Sequence, residues 1–184
     1  DGQIVGFKVD TISNFGAYMS LFSSAVPTYL YATLLSGQYN IANIHCNVRA
    51  VYTNTVPVDA YRGAGRPEAC YLIERMMETA AREMGKDPTE LRRANFVRSF
   101  PHETPVIMTY DAGDFDANLD QAMAAADVAG FAARKAEAAS RGKLRGLGYS
   151  SYIEACGIAP SAAVGSLGAG VCLGGSADVR VNPV

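Results

Sequence analysis

Apolar residues recur at helical spacing after Pro67, and this is the clearest local pattern in the chain. The apolar positions are Ala69, Leu72, Ile73, Met76, Met77, Ala80 and Met84. Steps of three and four residues place such positions on one face of a helix. Polar residues take the other face, so we expect Glu74 and Glu78 to form exposed, salt-bridged surface. Pro67 suits the first turn of this helix, and Gly85 suits its end.

A second, short helix is predicted directly after the first. Asp87 is placed to cap it, Pro88 to open it, and Glu90 stands three residues after the cap, which is an acidic variant of the capping box. The apolar face of this helix is expected to consist of Leu91, Ala94 and Phe96.

Extended and helical segments are also predicted on both sides of this helical pair. Strands are expected over about 2–10, 48–52 and 144–153. An alanine-rich helix is expected from Asn118 to Ser140, where Gly142 follows. Strands mixed with long helices predict an α+β fold.

The stretch 99–114 indicates a boundary between two domains or subdomains, because prolines and a glycine interrupt it. Residues 155–175 are rich in glycine, alanine and serine, which fits either a flexible linker or an ordered crossing loop. The chain opens at Asp1 without a methionine and stops at Val184 within strand-like sequence, so we interpret it as an internal piece of a longer protein.

Composition excludes several classes of function. The formal net charge of −2 argues against a dedicated nucleic-acid-binding protein. No apolar run reaches the about 18 residues of a membrane span. Four widely spaced cysteines, with no C-x-x-C pair, predict reduced and mostly buried thiols of a cytoplasmic protein rather than a zinc or iron–sulfur site: Cys46, Cys70, Cys156 and Cys172.

The run A-Y-R-G-A-G-R-P-E-A, residues 60–69, carries the candidate chemistry. Glycines let a backbone approach a ligand closely, and the first turn of a helix offers free N–H groups. With Arg62 and Arg66 beside them, these groups favour an anion or a cofactor. A plain tight turn with solvated arginines is the alternative. The pattern lacks the G-K-[ST] ending of a P-loop and the G-x-G-x-x-G of a dinucleotide site.

Several motifs strongly resemble the xanthine dehydrogenase/aldehyde oxidase/carbon monoxide dehydrogenase family. They are T-N-T-V-P-V-D-A-Y-R-G-A-G-R-P-E-A-C-Y-L-I-E-R-M-M (53–77), G-K-D-P-T-E-L-R-R-A-N-F (85–96), Y-D-A-G-D-F (110–115) and R-G-L-G-Y-S-S-Y-I-E-A-C-G (145–157). They follow the order of the family along nearly the whole chain. The nearest resemblance is to the carbon monoxide dehydrogenase large subunit in its second form, which has the A-Y-R-G-A-G-R loop.

The resemblance implies a molybdenum ion on a pyranopterin, which in bacterial members of the family is usually molybdopterin cytosine dinucleotide. It further implies that Arg62 and the backbone of Gly63, Ala64 and Gly65 line the molybdenum pocket and donate N–H groups to oxygens there. Tyr61 is expected to pack this loop. No protein ligand to a metal is expected. The general base of the family, a glutamate near the C-terminus of the full subunit, is expected outside this sequence, so the fragment alone should be inactive.

The resemblance also bears on the substrate. Carbon monoxide oxidisers of this family carry A-Y-R-C-S-F-R, whose cysteine binds copper. Gly63 stands in that place and has no thiolate, so no copper is expected. An aldehyde or an N-heterocycle is the alternative substrate. Xanthine-specific members place an arginine where Leu30 falls here, which makes purine chemistry less favoured.

The implied assembly is larger than this chain. Residues 1–100 are expected to end the first molybdopterin-binding domain, and residues 101–184 to connect to and begin the second. An iron–sulfur subunit and an FAD-binding subunit are the expected partners, as a dimer of heterotrimers. A non-catalytic scaffold and a nicotinamide-dependent enzyme remain as alternatives, although the Gly-Ala-Gly loop argues against the first and the missing dinucleotide fingerprint against the second.

Overall fold

Two parallel strands, β1 (Phe7–Asn14) and β2 (Ile44–Val51), form a two-stranded sheet in this computed structural model, which describes residues 1–154. Their register runs from Phe7 opposite Ile44 to Asn14 opposite Val51. Both strands were expected, but β1 begins later and ends later than residues 2–10, and β2 begins before residue 48. Parallel strands need a crossover, which residues 15–43 supply with a π-helical turn at Val26–Leu30.

The helical pair after the sheet is confirmed. Helix α1 (Arg66–Met84) ends at Gly85, whose φ is +63°, and helix α2 (Pro88–Asn95) begins at Asp87. The Asp87 side chain accepts hydrogen bonds from the backbone N–H groups of Thr89 and Glu90, at 2.7 and 3.1 Å. These are bonds that an N-cap residue makes.

The buried faces of the two helices differ from the prediction at several positions. In α1, Met76 and Met84 are exposed, and one line of residues four apart is buried: Ala69, Ile73, Met77 and Ala81. Glu74 is also buried, so the expectation that it is a surface residue was wrong, whereas Glu78 is partly exposed. In α2, Ala94 is exposed, and Arg92 and Asn95 share the buried face with Leu91. The physical reason is a set of buried polar contacts, described below.

The alanine-rich region does not form one continuous helix. Helix α3 (Phe115–Ala125) and helix α4 (Phe131–Ser140) are separated by a 3-10 turn at Val128–Gly130. Asp127, with a φ of +45°, interrupts the helical path, and its carboxylate accepts from the backbone N–H of Gly130 and pairs with Arg134. Local side-chain bonds of this kind compete with helix continuation.

The expected strand over 144–153 is also absent, because residues 143–154 contain no strand. Side chains rather than a neighbouring strand bind the backbone there. A short antiparallel pair, β3 (His102–Glu103) and β4 (Thr109–Tyr110), lies within the loop that was expected over 99–114.

Helix α1 connects the two apolar clusters of the core. Ala69 packs with Val9, Tyr31, Leu34 and Leu35 beneath the sheet. The later turns of α1 pack in the second cluster, which contains Tyr39, Ile41, Ile73, Met77, Ala81, Leu91, Phe96, Val97, Phe115 and Leu119. Its first turn is therefore held against the sheet while its body is held by α2 and α3.

Residues Asp1–Ile153 form one compact unit. The division into parts of two domains at residue 100 stays a prediction. Within the described part of the chain, no helix has the length and apolar character needed to cross a membrane. The Gly/Ala/Ser-rich stretch 155–175 lies outside the described residues.

Candidate functional site

The loop before α1 consists of two overlapping tight turns. The backbone N–H of Ala64 donates to the carbonyl of Tyr61 at 2.9 Å, and the N–H of Arg66 donates to the carbonyl of Gly63 at 2.9 Å. Gly63 and Gly65 have φ angles of +86° and +84°. Glycine adopts this left-handed region readily and other residues do so at a cost. The two glycines therefore allow the chain to turn twice within residues 61–66.

Gly65 is the point at which this loop rests on the crossover. A Cβ atom added to Gly65 would lie 2.7 Å from the backbone of the π-helical turn, specifically from the Leu30 carbonyl carbon, the Tyr31 nitrogen and the Val26 carbonyl oxygen. No side chain fits in that space. The loop and the π-helical turn are consequently in backbone-to-backbone contact.

The other side of the loop is open. A Cβ added to Gly63 would meet only the Pro67 Cδ atom, at 4.0 Å. Arg62 is exposed. Among residues 1–154, the backbone N–H groups of Arg62 and Gly63 donate to no other group. Free N–H groups, a guanidinium group and a helix N-terminus are the donors that an anionic ligand needs.

Tyr61 does not have its expected place. Its side chain is 86% exposed, so it does not pack the loop, and that prediction was wrong. Only its backbone carbonyl takes part in the turn. The loop is held instead by the approach of Gly65 to the crossover, a contact that the residue types do not reveal.

A buried polar cluster lies farther along α1, and sequence reasoning missed it. The Glu74 carboxylate accepts from the Tyr39 hydroxyl, and Arg92 Nε donates to Glu74 Oε2 at 3.0 Å. Arg92 is fully buried and also pairs with Glu78 at 3.2 Å. A buried charge is tolerated when it is paired and hydrogen-bonded.

The electrostatics of this cluster follow from its burial. Burial raises the pKa of the Tyr39 hydroxyl well above its usual range, and the neighbouring carboxylate of Glu74 adds to the effect. Burial is the largest effect on Arg92 and acts against its charge, but Glu74, Tyr39 and Glu78 together outweigh it and hold the pKa of Arg92 above its ordinary value. The neutral phenol and the charged guanidinium both stabilise the same carboxylate.

The described cysteines are separate free thiols. Cys46 and Cys70 are half-buried rather than mostly buried, and burial raises the pKa of Cys46. No group of His, Cys, Asp and Glu residues in the described part of the chain could hold a metal ion. Cys156 and Cys172 lie outside the described residues.

An apolar cleft of about 380 Å³ lies between the end of β1, the crossover and α1. Phe15, Val26, Tyr31 and Leu72 are among its apolar lining residues, and Glu68 also lines it. The residues of the loop itself, Arg62–Gly65, do not line it. We therefore place the candidate site at the loop, where the anion-binding groups are, and not in the cleft.

Comparison with known proteins identifies related chains. The family model described as "Molybdopterin cofactor-binding domain" matches residues 1–96. The carbon monoxide dehydrogenase large chain of Hydrogenophaga pseudoflava is 37% identical over all of this chain and 23% of the relative. The nicotine 6-hydroxylase large subunit of Paenarthrobacter nicotinovorans is 33% identical over 85% of this chain and 20% of the relative.

A solved structure of a related enzyme is also similar to this chain. Quinoline 2-oxidoreductase from Pseudomonas putida 86 superposes with a TM-score of 0.79 at 30% identity, over 91% of this chain and 22% of that chain. The expected α+β fold of a molybdenum hydroxylase large subunit is thereby confirmed. The chain spans about a quarter or less of the length of the relatives named above.

Proposed function

This chain belongs to the molybdopterin cofactor-binding domain family, and from that premise we propose that it is part of the large subunit of a molybdenum hydroxylase and that Arg62–Gly65 binds the cofactor. The observation that carries the proposal is the open face of the loop. Within residues 1–154, two backbone N–H groups of the loop have no hydrogen-bond partner, and the exposed Arg62 adds a guanidinium group near the N-terminus of α1.

The loop residues fit a pyranopterin with anionic oxygens. Arg62 supplies a permanent positive charge, and the N–H groups of Arg62 and Gly63 are directional donors. Helix α1, 19 residues long, adds the positive end of its dipole. The space over Gly63 lets the backbone approach the cofactor without a side chain between them.

The cofactor, when bound, supplies the oxidation chemistry, in which an oxygen from water is transferred to the substrate and two electrons are removed. The contribution of this chain is to bind and to orient. Gly65 sets the distance between the loop and the crossover, because the backbone at Gly65 is in contact with the crossover backbone. Because this contact leaves no space between the two backbones, the loop cannot move towards the crossover, which restricts the positions of its donors before a ligand arrives.

Carbon monoxide and an organic molecule are the two candidate substrates, and we propose an aldehyde or an N-heterocycle. Gly63 offers no thiolate for copper. Xanthine-specific members are expected to carry an arginine where this chain has Leu30, which weighs against purines. The solved structure of quinoline 2-oxidoreductase is similar to this chain, and so is the sequence of the nicotine 6-hydroxylase large subunit.

The proposed assembly includes an iron–sulfur subunit and an FAD-binding subunit, which would carry electrons away from the molybdenum centre. Support comes from the relatives, whose names call them a large chain or a large subunit. The pyranopterin is proposed to be the cytosine dinucleotide form, without copper. The chain alone is proposed to be inactive, since it covers only part of such a subunit.

Metal analysis and substrate oxidation by the full-length complex test this function. We expect about one molybdenum per large subunit, no copper, and dye reduction with aldehydes or N-heterocycles but not with carbon monoxide. Arg62→Gln should lower molybdenum content severalfold, whereas the matched change Arg75→Gln on the exposed side of α1 should not. Fast carbon monoxide oxidation with bound copper would overturn the substrate choice. A folded complex without molybdenum would support the scaffold alternative instead.

A further inference from the structure

Residues Tyr149–Ile153, named the strap here, lie against α1 without belonging to a sheet. Three hydrogen bonds hold their backbone. Arg92 Nη2 donates to the Tyr149 carbonyl at 3.2 Å, and the Ser151 N–H donates to Glu74 Oε2 at 2.8 Å. Gln38 Nε2 donates to the Tyr152 carbonyl at 2.8 Å. In each bond the partner is the side chain of a buried residue.

The groups that hold the strap are themselves fixed. Glu74 is bound by Arg92 and by the Tyr39 hydroxyl, and Arg92 Nη1 also donates to the Pro88 carbonyl at 2.9 Å. The strap is therefore attached to α1, to α2 and to the end of the crossover simultaneously. Hydrogen bonds to charged groups are stronger than those between neutral groups. The bond from Ser151 to the buried carboxylate is of this stronger kind.

The strap also reaches the beginning of α1. Ser150 Oγ lies 3.6 Å from Cys70 Sγ. Ser151, Tyr152 and Ile153 border one small gap together with Leu34, Gly37, Arg66, Cys70 and Ile73. Arg66 is the first residue of α1 and directly follows Gly65. The strap thus lies beside the first two turns of α1.

We propose that Glu74 and Arg92 are positioning residues for the loop Arg62–Gly65, which they support by holding the strap against the first two turns of α1. Neither side chain touches the loop. Their effect passes through the strap to the helix N-terminus, and from there to the N–H groups that the loop presents. The proposal rests on the proposed function for its consequence in cofactor retention, but the mechanical link stands on the contacts alone.

Two proline substitutions in the full-length complex distinguish loss of the support that the strap gives the loop from non-specific destabilisation of the protein. Ser151→Pro removes the N–H that binds Glu74 and leaves the buried charges in place. Ser150→Pro is the matched control, because the Ser150 N–H makes no hydrogen bond among residues 1–154, and Ser150→Ala measures separately the loss of the hydroxyl that lies near Cys70 Sγ. Both changes impose similar backbone restrictions on the strap. Hydrogen exchange would be followed by mass spectrometry in peptides over 62–70, with peptides over 7–14 and 44–51 as internal references.

We expect Ser151→Pro to accelerate exchange over 62–70 about tenfold, the factor that corresponds to losing about 1.4 kcal/mol. The reference peptides should keep their rates, and molybdenum should dissociate faster on dialysis than from Ser150→Pro. If exchange over 62–70 stays at the wild-type rate, the strap does not support the loop and the proposal is overturned. Equal acceleration by the two prolines would also overturn it.

A second variant covers the case in which Ser151→Pro does not fold. Gln38→Met keeps the side-chain length and removes only the donor to Tyr152, so the same local acceleration is expected at smaller amplitude. Failure of the proposed function has a different signature. In that case the wild-type complex contains no molybdenum, while the exchange coupling between strap and loop is still observed.

Discussion

At the scale of single residues, Gly63 and Gly65 have the same backbone conformation but different surroundings. Both have φ angles near +85°, yet only Gly65 faces backbone atoms at 2.7 Å from an added Cβ. A residue in this conformation costs about 1 kcal/mol or more when it is not glycine. At Gly65 the displacement of backbone adds an overpacking cost of about 1 to 3 kcal/mol.

We therefore predict that Gly65→Ala destabilises the protein by about 3 kcal/mol and Gly63→Ala by about 1 kcal/mol. Equilibrium urea unfolding measures the difference. Equal losses for the two variants would show that the backbone approach at Gly65 does not contribute.

Glu74 provides a second prediction at this scale. Breaking a buried ion pair by removing one charge costs about 3 to 5 kcal/mol, because the remaining charge stays buried. Glu74→Gln should therefore cost several kcal/mol. Glu78→Gln should cost about 1 kcal/mol or less, since the Glu78 side chain is 38% exposed. The comparison uses the same unfolding measurement, and a small loss in Glu74→Gln would contradict the role of the pair.

The loop Arg62–Gly65 and Glu74 show what a sequence can and cannot predict. The loop Arg62–Gly65 could be predicted as a candidate site because its glycines and arginines are neighbours in the sequence, and its role in binding stays a prediction. Glu74 was placed on the surface because it follows the polar side of a helical repeat. Its partner, Arg92, lies on another helix, and no local pattern connects them. A buried charge pair is a tertiary feature, and only the fold brings the two groups together.

At the scale of elements, the junction between α1 and α2 was predicted better than the buried faces of these two helices. Gly85 ends α1 and Asp87 caps α2 as expected, because both act through their own backbone and side-chain geometry. The interruption at Asp127 was not predicted. Alanine favours helix on both sides, and the competing bonds of Asp127 to Gly130 and Arg134 are not a strong sequence signal.

The cap at Asp87 yields a pH-dependent prediction. Asp87→Ala should destabilise the protein by about 1 kcal/mol at neutral pH. The hydrogen bond from the Thr89 side chain lowers the pKa of Asp87 below its usual value of 3.8. A lowered folded-state pKa gives stability that is present above the unfolded-state pKa and is lost as the pH falls through the folded-state pKa.

The difference between wild type and Asp87→Ala should consequently shrink below about pH 4 in urea titrations. Asp87→Asn, which caps without a charge, is the control and should show little of this dependence. A difference that stays constant down to pH 2 would refute the electrostatic part of the argument.

At the scale of the whole molecule, one hydrogen bond connects the β3–β4 pair to the crossover. The Tyr110 hydroxyl donates to the Gly37 carbonyl at 2.7 Å, and both residues are buried. Burial raises the pKa of Tyr110 to about 12 from its ordinary value of 10.0. A raised pKa gives stability that is present below the unfolded-state value and is lost as the pH rises through the folded-state value.

We predict that wild-type stability falls between about pH 10 and pH 12 by up to about 2.7 kcal/mol more than that of Tyr110→Phe. Tyr110→Phe should be less stable at pH 8 because it leaves the Gly37 carbonyl without its donor. Urea unfolding at both pH values tests this. Parallel pH curves for the two proteins would exclude Tyr110 as the responsible group.

The fold class was predictable at this scale because strands and helices alternate with clear periodicities. The parallel pairing of β1 with β2 and the π-helical turn between them were not. Both depend on which distant segments meet, and the crossover sequence carries no periodic signal for them. The same limit applies to the strap, whose apolar and polar alternation resembles a strand although side chains hold it.

The parallel pairing of β1 and β2 also sets an order of events during folding. Helices α1 and α2 are joined by residues 85–87 and can meet quickly, whereas β1 and β2 must first close the segment 15–43 between them. The loop Arg62–Gly65 lies between an early helix and this late crossover. Its support at Gly65 exists only after the crossover has packed. If this loop binds the cofactor as proposed, a newly synthesised chain would acquire that affinity only at the end of folding, and the cofactor would bind only to fully folded chains.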